Sequence, residues 1–332
     1  MVRSDDFSRS SLPATEAAVT DGLACSDDFS RSLLPATEAA VMDGLACSDD
    51  FSRSSLPAIK VATALEVMRR HPCFDEQAHE RVGRVHLPVA PRCNIQCRFC
   101  ERKVCANLTI QHPGWARQVL SPGEAVELVR RLARAHPGES FVVGVAGPGE
   151  PLANAGTFEA LSRVHQEAPA LMKCVSTNGL LLEQALPRLL EAGVTALTVT
   201  VNAPDSQVGQ HVYAWVRHEG TVYRGQEAAE ILIAHQMRGL RAALGAGLAV
   251  KVNTVLVPGV NDGHAVVRLA HRLKEIGVRL MNIMPLIPAG QMNHRRAPTC
   301  DELREARAAC EEAVPQFRLC EHCRADVIRF PQ

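Results

Sequence analysis

Six short runs of apolar residues, rich in β-branched side chains, recur along the chain at 85–89, 141–145, 173–176, 196–201, 249–256 and 280–284. Each is nearly continuous rather than alternating, as expected of strands buried on both faces. Between them apolar positions fall at helical spacing over 122–135, 157–167, 182–191, 225–245 and 264–276. Two shorter helical stretches, 62–70 and one holding His79, precede the first strand. The alternation makes six βα units, which predicts a parallel sheet joined by crossover helices. A complete barrel needs eight. The expected fold is therefore α/β, an open partial TIM barrel of (β/α)6 type.

The first 58 residues break this pattern. Residues 4–25 recur as 26–47, with Leu33 in place of Ser11 and Met42 in place of Thr20, and 48–58 begin a third copy. A short period can signal a solenoid, but each copy holds few large apolar residues and fewer than three are complete. The expectation is a duplicated, disordered tail over 1–58, in which Cys25 and Cys47 are copies of one another, and a core domain over 59–332.

Composition narrows the function. Thirty-six basic and 36 acidic residues cancel, and aromatics are 4%. No nucleic-acid partner is indicated, since neither a cationic surface nor stacking platforms are provided for. No apolar run reaches the roughly 18 residues of a membrane span, and Asp5 and Asp6 replace the basic start of an export signal. A cytoplasmic location is expected. In a reducing compartment the 12 cysteines are better read as ligands than as disulfides.

Their clustering supports this. Cys93-Asn94-Ile95-Gln96-Cys97-Arg98-Phe99-Cys100 spaces three cysteines as C-x3-C-x2-C. Three thiolates on one short loop can hold three corners of a cubane iron–sulfur cluster, leaving one iron open to a small molecule. A zinc site wants four ligands, usually as two C-x2–4-C pairs, and fits poorly. Other polar motifs fall after strand runs, where α/β barrels carry their chemistry: Ala146-Gly147-Pro148-Gly149-Glu150, Thr177-Asn178-Gly179, Asn202 and Pro258-Gly259-Val260-Asn261-Asp262. The glycines around Pro148 allow close backbone approach to a ligand; an ordinary turn would use them too. Cys320 and Cys323 form a terminal C-x2-C, on its own compatible with a cluster, half a zinc site or a surface turn. Cys300 and Cys310 lie in a helical stretch and read as structural. Trp115, Tyr213, Trp215 and Tyr223 are too sparse for a stripe and are expected to pack loops.

The cysteine loop resembles the signature of the radical S-adenosylmethionine (SAM) enzymes. Its surroundings resemble one branch, the NifB family of nitrogenase cofactor maturases. The likeness is carried by His86-Leu87-Pro88-Val89-Ala90-Pro91, Cys105-Ala106-Asn107, residues 146–154, Ser176-Thr177-Asn178-Gly179 and Cys320-Glu321-His322-Cys323-Arg324-Ala325-Asp326. The resemblance implies a radical SAM half-barrel in which Cys93, Cys97 and Cys100 hold the catalytic 4Fe-4S cluster. Gly147, Gly149, Glu150, Ser176, Thr177, Asn178 and Asn253 would contact SAM. Cys73, Cys105, Cys174, Cys320, Cys323 and a histidine would hold two further 4Fe-4S clusters, the substrate. His71, His79 and His86 are the histidine candidates, with His71 nearest a matched cysteine. The run Arg102-Lys103-Val104-Cys105 is one residue shorter than the family suggests, which puts the reach of Cys105 in doubt.

The implied activity serves nitrogen fixation. Two 4Fe-4S clusters and a SAM-derived carbon would become the 8Fe-9S-C precursor of the iron–molybdenum cofactor, by methyl transfer and carbide insertion. Implied partners are a reductant, an iron–sulfur cluster donor, and cofactor-carrier and nitrogenase assembly scaffold proteins, a carrier domain being expected to be lacking here. Two alternatives stand beside this: a radical SAM enzyme with auxiliary clusters and an organic or peptide substrate, and a cluster carrier that never cleaves SAM.

Overall fold

The computed structural model describes residues 58–110 and 112–331; the expected repeat tail, but for Ala58, lies outside them. Strands β1 (Gly83–His86), β2 (Phe141–Val145), β3 (Met172–Thr177), β4 (Val194–Thr200), β5 (Ala249–Leu256) and β6 (Met281–Pro285) lie side by side in chain order, all parallel. This is the half-barrel of six βα units. A two-residue strand β7 (Ile328–Arg329) adds an edge that the sequence pattern did not suggest. It pairs antiparallel with β1, Arg84 opposite Arg329 and Val85 opposite Ile328.

Burial explains the strand runs. All five residues of β2 are buried, as are seven of the eight in β5. The first strand is shorter than expected and earlier, at 83–86 rather than 85–89. Pro88 cannot donate to a ladder, and beyond the Leu87 N–H bond to the Gly144 carbonyl (2.8 Å) the chain peels away.

Helices α1 (Ala58–Arg70), α2 (Glu76–Arg81), α3 (Pro122–Ala135), α4 (Ala155–Glu167), α5 (Leu182–Glu191), α6 (Ser206–Val212), α7 (Gly225–Gly245), α8 (His264–Glu275) and α9 (Cys300–Glu311) complete the described fold. Helix α3 starts where its sequence dictates. The Ser121 hydroxyl accepts from the Glu124 N–H while the Glu124 carboxylate accepts from the Ser121 N–H, a reciprocal cap ahead of Pro122. Thr299 and Glu302 cap α9 in the same way. Cys310 on α9 is buried in the core, consistent with a structural role.

A small antiparallel sheet stands apart from the barrel. Ile95–Cys97 pairs with Tyr213–His218, which turns through Glu219 and Gly220, both at positive φ, into Thr221–Tyr223. Tyr213, Trp215 and Tyr223 thus lie in strands, not in loops. Among the described residues no helix is long and apolar enough to cross a membrane.

Candidate active site

The cysteine loop follows β1 and is tied down by its own side chains. Gln96 donates from Nε2 to the carbonyls of Cys97 and Cys100, both at 2.8 Å. Its Oε1 accepts from Arg102 at 2.8 Å, and the other Arg102 amino group lies 4.0 Å from the Cys100 sulfur. The Arg98 N–H donates to the Val212 carbonyl, and the Arg217 N–H to that of Asn94, so the small sheet holds the loop's far side. Gly290, at φ +54°, lets the chain after β6 approach: a Cβ there would come 2.9 Å from the Arg98 carbonyl. Gln96 stands inside the motif and Arg102 two residues beyond it, and neither carried a further sequence signal.

The loop after β2 is stitched to the cysteine loop by backbone. Gly149 N–H donates to the Ala90 carbonyl at 2.6 Å and Glu150 N–H to that of Arg92 at 2.8 Å. A Cβ on Gly149 would stand 2.3 Å from the Arg92 carbonyl, so only glycine fits. Asn154, buried, clamps the same junction, donating to the carbonyls of Arg92 (2.8 Å) and Glu150 (2.7 Å) and accepting from the Arg92 N–H. Asn154→Ala would remove three hydrogen bonds from this junction, each worth about 0.5–1.5 kcal/mol. We expect a lower melting temperature and slower cluster incorporation on reconstitution; an unchanged melting temperature would contradict this clamp.

Glu150 is the buried acid at the centre. It accepts from the Thr177 hydroxyl (2.5 Å) and the backbone N–H groups of Asn178 (2.7 Å) and Leu152 (3.0 Å). Burial nevertheless outweighs these bonds and pushes its carboxyl up to about 7. Ser176, Thr177 and Asn178 at the end of β3, and Asn253 on β5, line the same cavity of about 300 Å³ as Gly149, Glu150 and all three loop cysteines. Gly147 shapes the turn at φ +140° but does not itself line the cavity. Asn202, after β4, also lines it; its Oδ1 accepts from the Val255 N–H at 2.8 Å.

The three thiols are desolvated. Burial raises Cys93 to about 11, with the Glu150 charge adding to it. Burial raises Cys97 well above the usual thiol range, with Cys100 and Cys93 as further causes, and also raises Cys100, against the pull of Arg102. Metal loading must displace these protons. Among the described residues no three His, Cys, Asp or Glu side chains gather at a single-ion point. Three sulfurs on one cavity wall suit separate corners of a cubane better than one zinc ion.

At the cavity's other end stand Cys73, Cys174, Cys320 and Cys323. Cys174 is placed by β3. Gly144 opposite it, on β2, has no room for a Cβ, which would lie 2.9 Å from the Cys174 sulfur and 3.2 Å from the His86 ring. Burial raises both Cys174 and Cys323, the latter to about 12. Two cations face this end. The Lys251 ammonium donates to the Cys73 carbonyl at 2.7 Å and sits over the rings of Phe74 and Phe317; Arg84 pairs with Glu321 at 3.3 Å.

The histidine candidates separate. His79 is spent on the Pro72 carbonyl and Glu321. His71 lines the cavity; its Nδ1 accepts from the Cys73 N–H, and its Nε2 is buried without a partner among the described residues. His86 lines the cavity as well, with Nδ1 bound to the Arg324 carbonyl at 3.1 Å, and its ring and the Cys174 sulfur both pack against Gly144. Cys105 is not brought to the cavity. Its N–H bonds the Ala116 carbonyl, beside a two-residue parallel pairing of Lys103–Val104 with Trp115–Ala116 that leaves it exposed.

A half-barrel with three cysteines beside a buried acid at its strand ends defines a radical SAM enzyme, and residues 87–270 match the Radical SAM superfamily. The fold is also similar to the crystal structure of Streptococcus suis SuiB bound to S-adenosylmethionine (TM-score 0.51, 11% identity, 79% of this chain and 55% of that one). Over 269 residues the chain is 44% identical to the FeMo cofactor biosynthesis protein NifB of Methanocaldococcus jannaschii, covering 81% of this chain and 89% of that relative. It is 43% identical over 266 residues to the protein of the same name from Klebsiella pneumoniae, spanning 56% of that longer relative. The chain belongs to the NifB family of radical SAM proteins.

Proposed function

We propose that this chain is the maturase that converts two 4Fe-4S clusters and a SAM-derived carbon into the 8Fe-9S-C precursor of the nitrogenase iron–molybdenum cofactor. One observation carries the reading. A single cavity is lined both by the cysteine loop with Glu150 and by four further cysteines with two cations, the two cysteine groups packing against separate apolar clusters. Cys93, Cys97 and Cys100 would hold the resident cluster. When bound, that cluster supplies the electron that cleaves SAM to methionine and a 5′-deoxyadenosyl radical.

The chain's own residues position the reaction. The Glu150 carboxylate accepts from the SAM amino group. Gly149 lets the methionine half lie against backbone. Ser176, Thr177, Asn178 and Asn253, which line the same cavity, would contact its carboxylate and ribose. Cys73, Cys174, Cys320 and Cys323 hold the substrate clusters, with His86 better directed than His71 as the nitrogen ligand, because its other ring nitrogen is already fixed by a carbonyl. Lys251 and Arg84 offset the negative charge of thiolate-bound clusters. A reductant, a cluster donor, a carrier and an assembly scaffold would complete the pathway.

Anaerobic reconstitution tests this. About twelve iron atoms per chain, from three cubane clusters, with both 5′-deoxyadenosine and S-adenosylhomocysteine formed, is the expected result. About four iron atoms with 5′-deoxyadenosine alone would instead indicate an organic substrate, and no SAM cleavage under dithionite would indicate a carrier. Gly144→Ala should separate the two ends: its methyl group would press on Cys174 and His86. Iron content should then fall while SAM affinity by calorimetry is retained; full iron content would show that this wall yields.

A further inference from the structure

After α9 the chain crosses from one edge strand of the half-barrel to the other. Gln316 forms a parallel bridge with Met281 on β6, and Ile328, twelve positions on, pairs with Val85 on β1. The strap between them carries Cys320, Glu321, His322 and Cys323, all of which line the cavity. Its own backbone holds it thinly. The N–H groups of Phe317 and Ala325 bond the carbonyls of Met281 and Trp115, but none from 318 to 324 meets a backbone carbonyl among the described residues. Segments with few backbone bonds open locally at low cost.

One side chain makes up for this. The Glu321 carboxylate receives three basic side chains from separate elements: Arg84 of β1 at 3.3 Å, His79 of α2 at 3.2 Å, and Arg329 of β7. Arg84 stands opposite Arg329 in the β1–β7 pairing, and Arg84 is buried. Like charges so placed repel. Glu321 offers one carboxylate oxygen to each guanidinium, and so ties the strap to the strand pair while it offsets both charges. A buried guanidinium stripped of that partner is strongly destabilised.

We propose that Glu321 is a positioning residue that bolts this strap shut, and that the strap, once released, is the door through which iron–sulfur substrate enters and product leaves. The door depends on the proposed function, in which Cys320 and Cys323 are cluster ligands. Opening would carry these two thiols away together, so that release of the product is coupled to movement of the wall that holds it.

The full chain, free of metal and kept anaerobic, is labelled with iodoacetamide, and each thiol is followed by mass spectrometry. Labelling of Cys320 and Cys323 should rise about tenfold in Glu321→Gln, the scale of one charge-assisted bond. Arg329→Ala, which removes the more exposed arginine of the network, should raise it less. Glu321→Asp keeps the charge and should restore part of the protection. Cys310, buried on α9, should label at the wild-type rate throughout. After reconstitution, Glu321→Gln should lose iron to a chelator faster than the wild type, down to about four atoms per chain, with SAM affinity by calorimetry unchanged. Wild-type labelling of Cys320 and Cys323 in Glu321→Gln would overturn the bolt. Faster labelling of Cys310 as well would show loosening of the whole fold and overturn it too, and unchanged iron retention would overturn the door. A wild-type chain with only about four iron atoms would remove the proposed function, a result that labelling of the metal-free chain cannot give.

Discussion

Replacing Cys93, Cys97 or Cys100 with alanine is expected to abolish reductive cleavage of SAM and to remove about four iron atoms per chain. Each of the three thiols lines the cavity. The loop should keep its shape in the variants, because Gln96 and the small sheet hold it through backbone carbonyls. Loss of the cluster should therefore not unfold the chain. Iron analysis, 5′-deoxyadenosine assay and melting temperature check the three parts together. Wild-type rates of 5′-deoxyadenosine formation in any one variant would refute the assignment of the loop.

Glu150→Gln has the next largest expected effect. The glutamine oxygen can keep the bonds from Thr177 and Leu152, but its amino group would meet the Asn178 N–H, donor against donor. A charge-assisted bond to the SAM amino group would be lost as well, worth about 1.5–3 kcal/mol, or about 10- to 100-fold in affinity. The wild type should also show a pH dependence that the variant lacks. The Glu150 carboxyl is raised from its usual value to about 7 by burial. Below that pH it is protonated and loses the charge that would strengthen the proposed bond from the amino group, so SAM affinity should rise with pH through about 7 and then level off. Fold stability in the absence of SAM should run the other way. Where the native carboxyl holds its proton and the unfolded one has lost it, stability falls as pH rises. Calorimetric affinities from pH 6 to 8 decide this; a flat wild-type profile would mean that Glu150 is ionised throughout.

The parallel half-barrel was legible because strands buried on both faces leave an uninterrupted apolar signature, and β2 and β5 show it most clearly. The cysteine loop was legible because its three thiols lie within eight residues of one another. What escaped were contacts between residues distant in the chain. Asn154 reaches back 62 positions to Arg92, and nothing around either residue signals the other. Strand β7 is two exposed residues long, and its pairing comes from the fold alone. The hairpin at 213–223 could have been found, since Glu219-Gly220 between β-branched and aromatic residues is a turn signal. The exposed position of Cys105 follows from its pairing near Ala116, although the shortened run before it was a warning.

The antiparallel pairing of β7 with β1 fixes the order in which the molecule can be completed. Chains emerge from the ribosome amino end first, so the cysteine loop and the loop after β2 exist well before residues 320–329. The pocket around the cysteine loop can take shape on a nascent chain, whereas the wall with Cys320 and Cys323 waits until those residues have been made. The part of the cavity lined by the cysteine loop can thus be assembled before the part lined by Cys320 and Cys323.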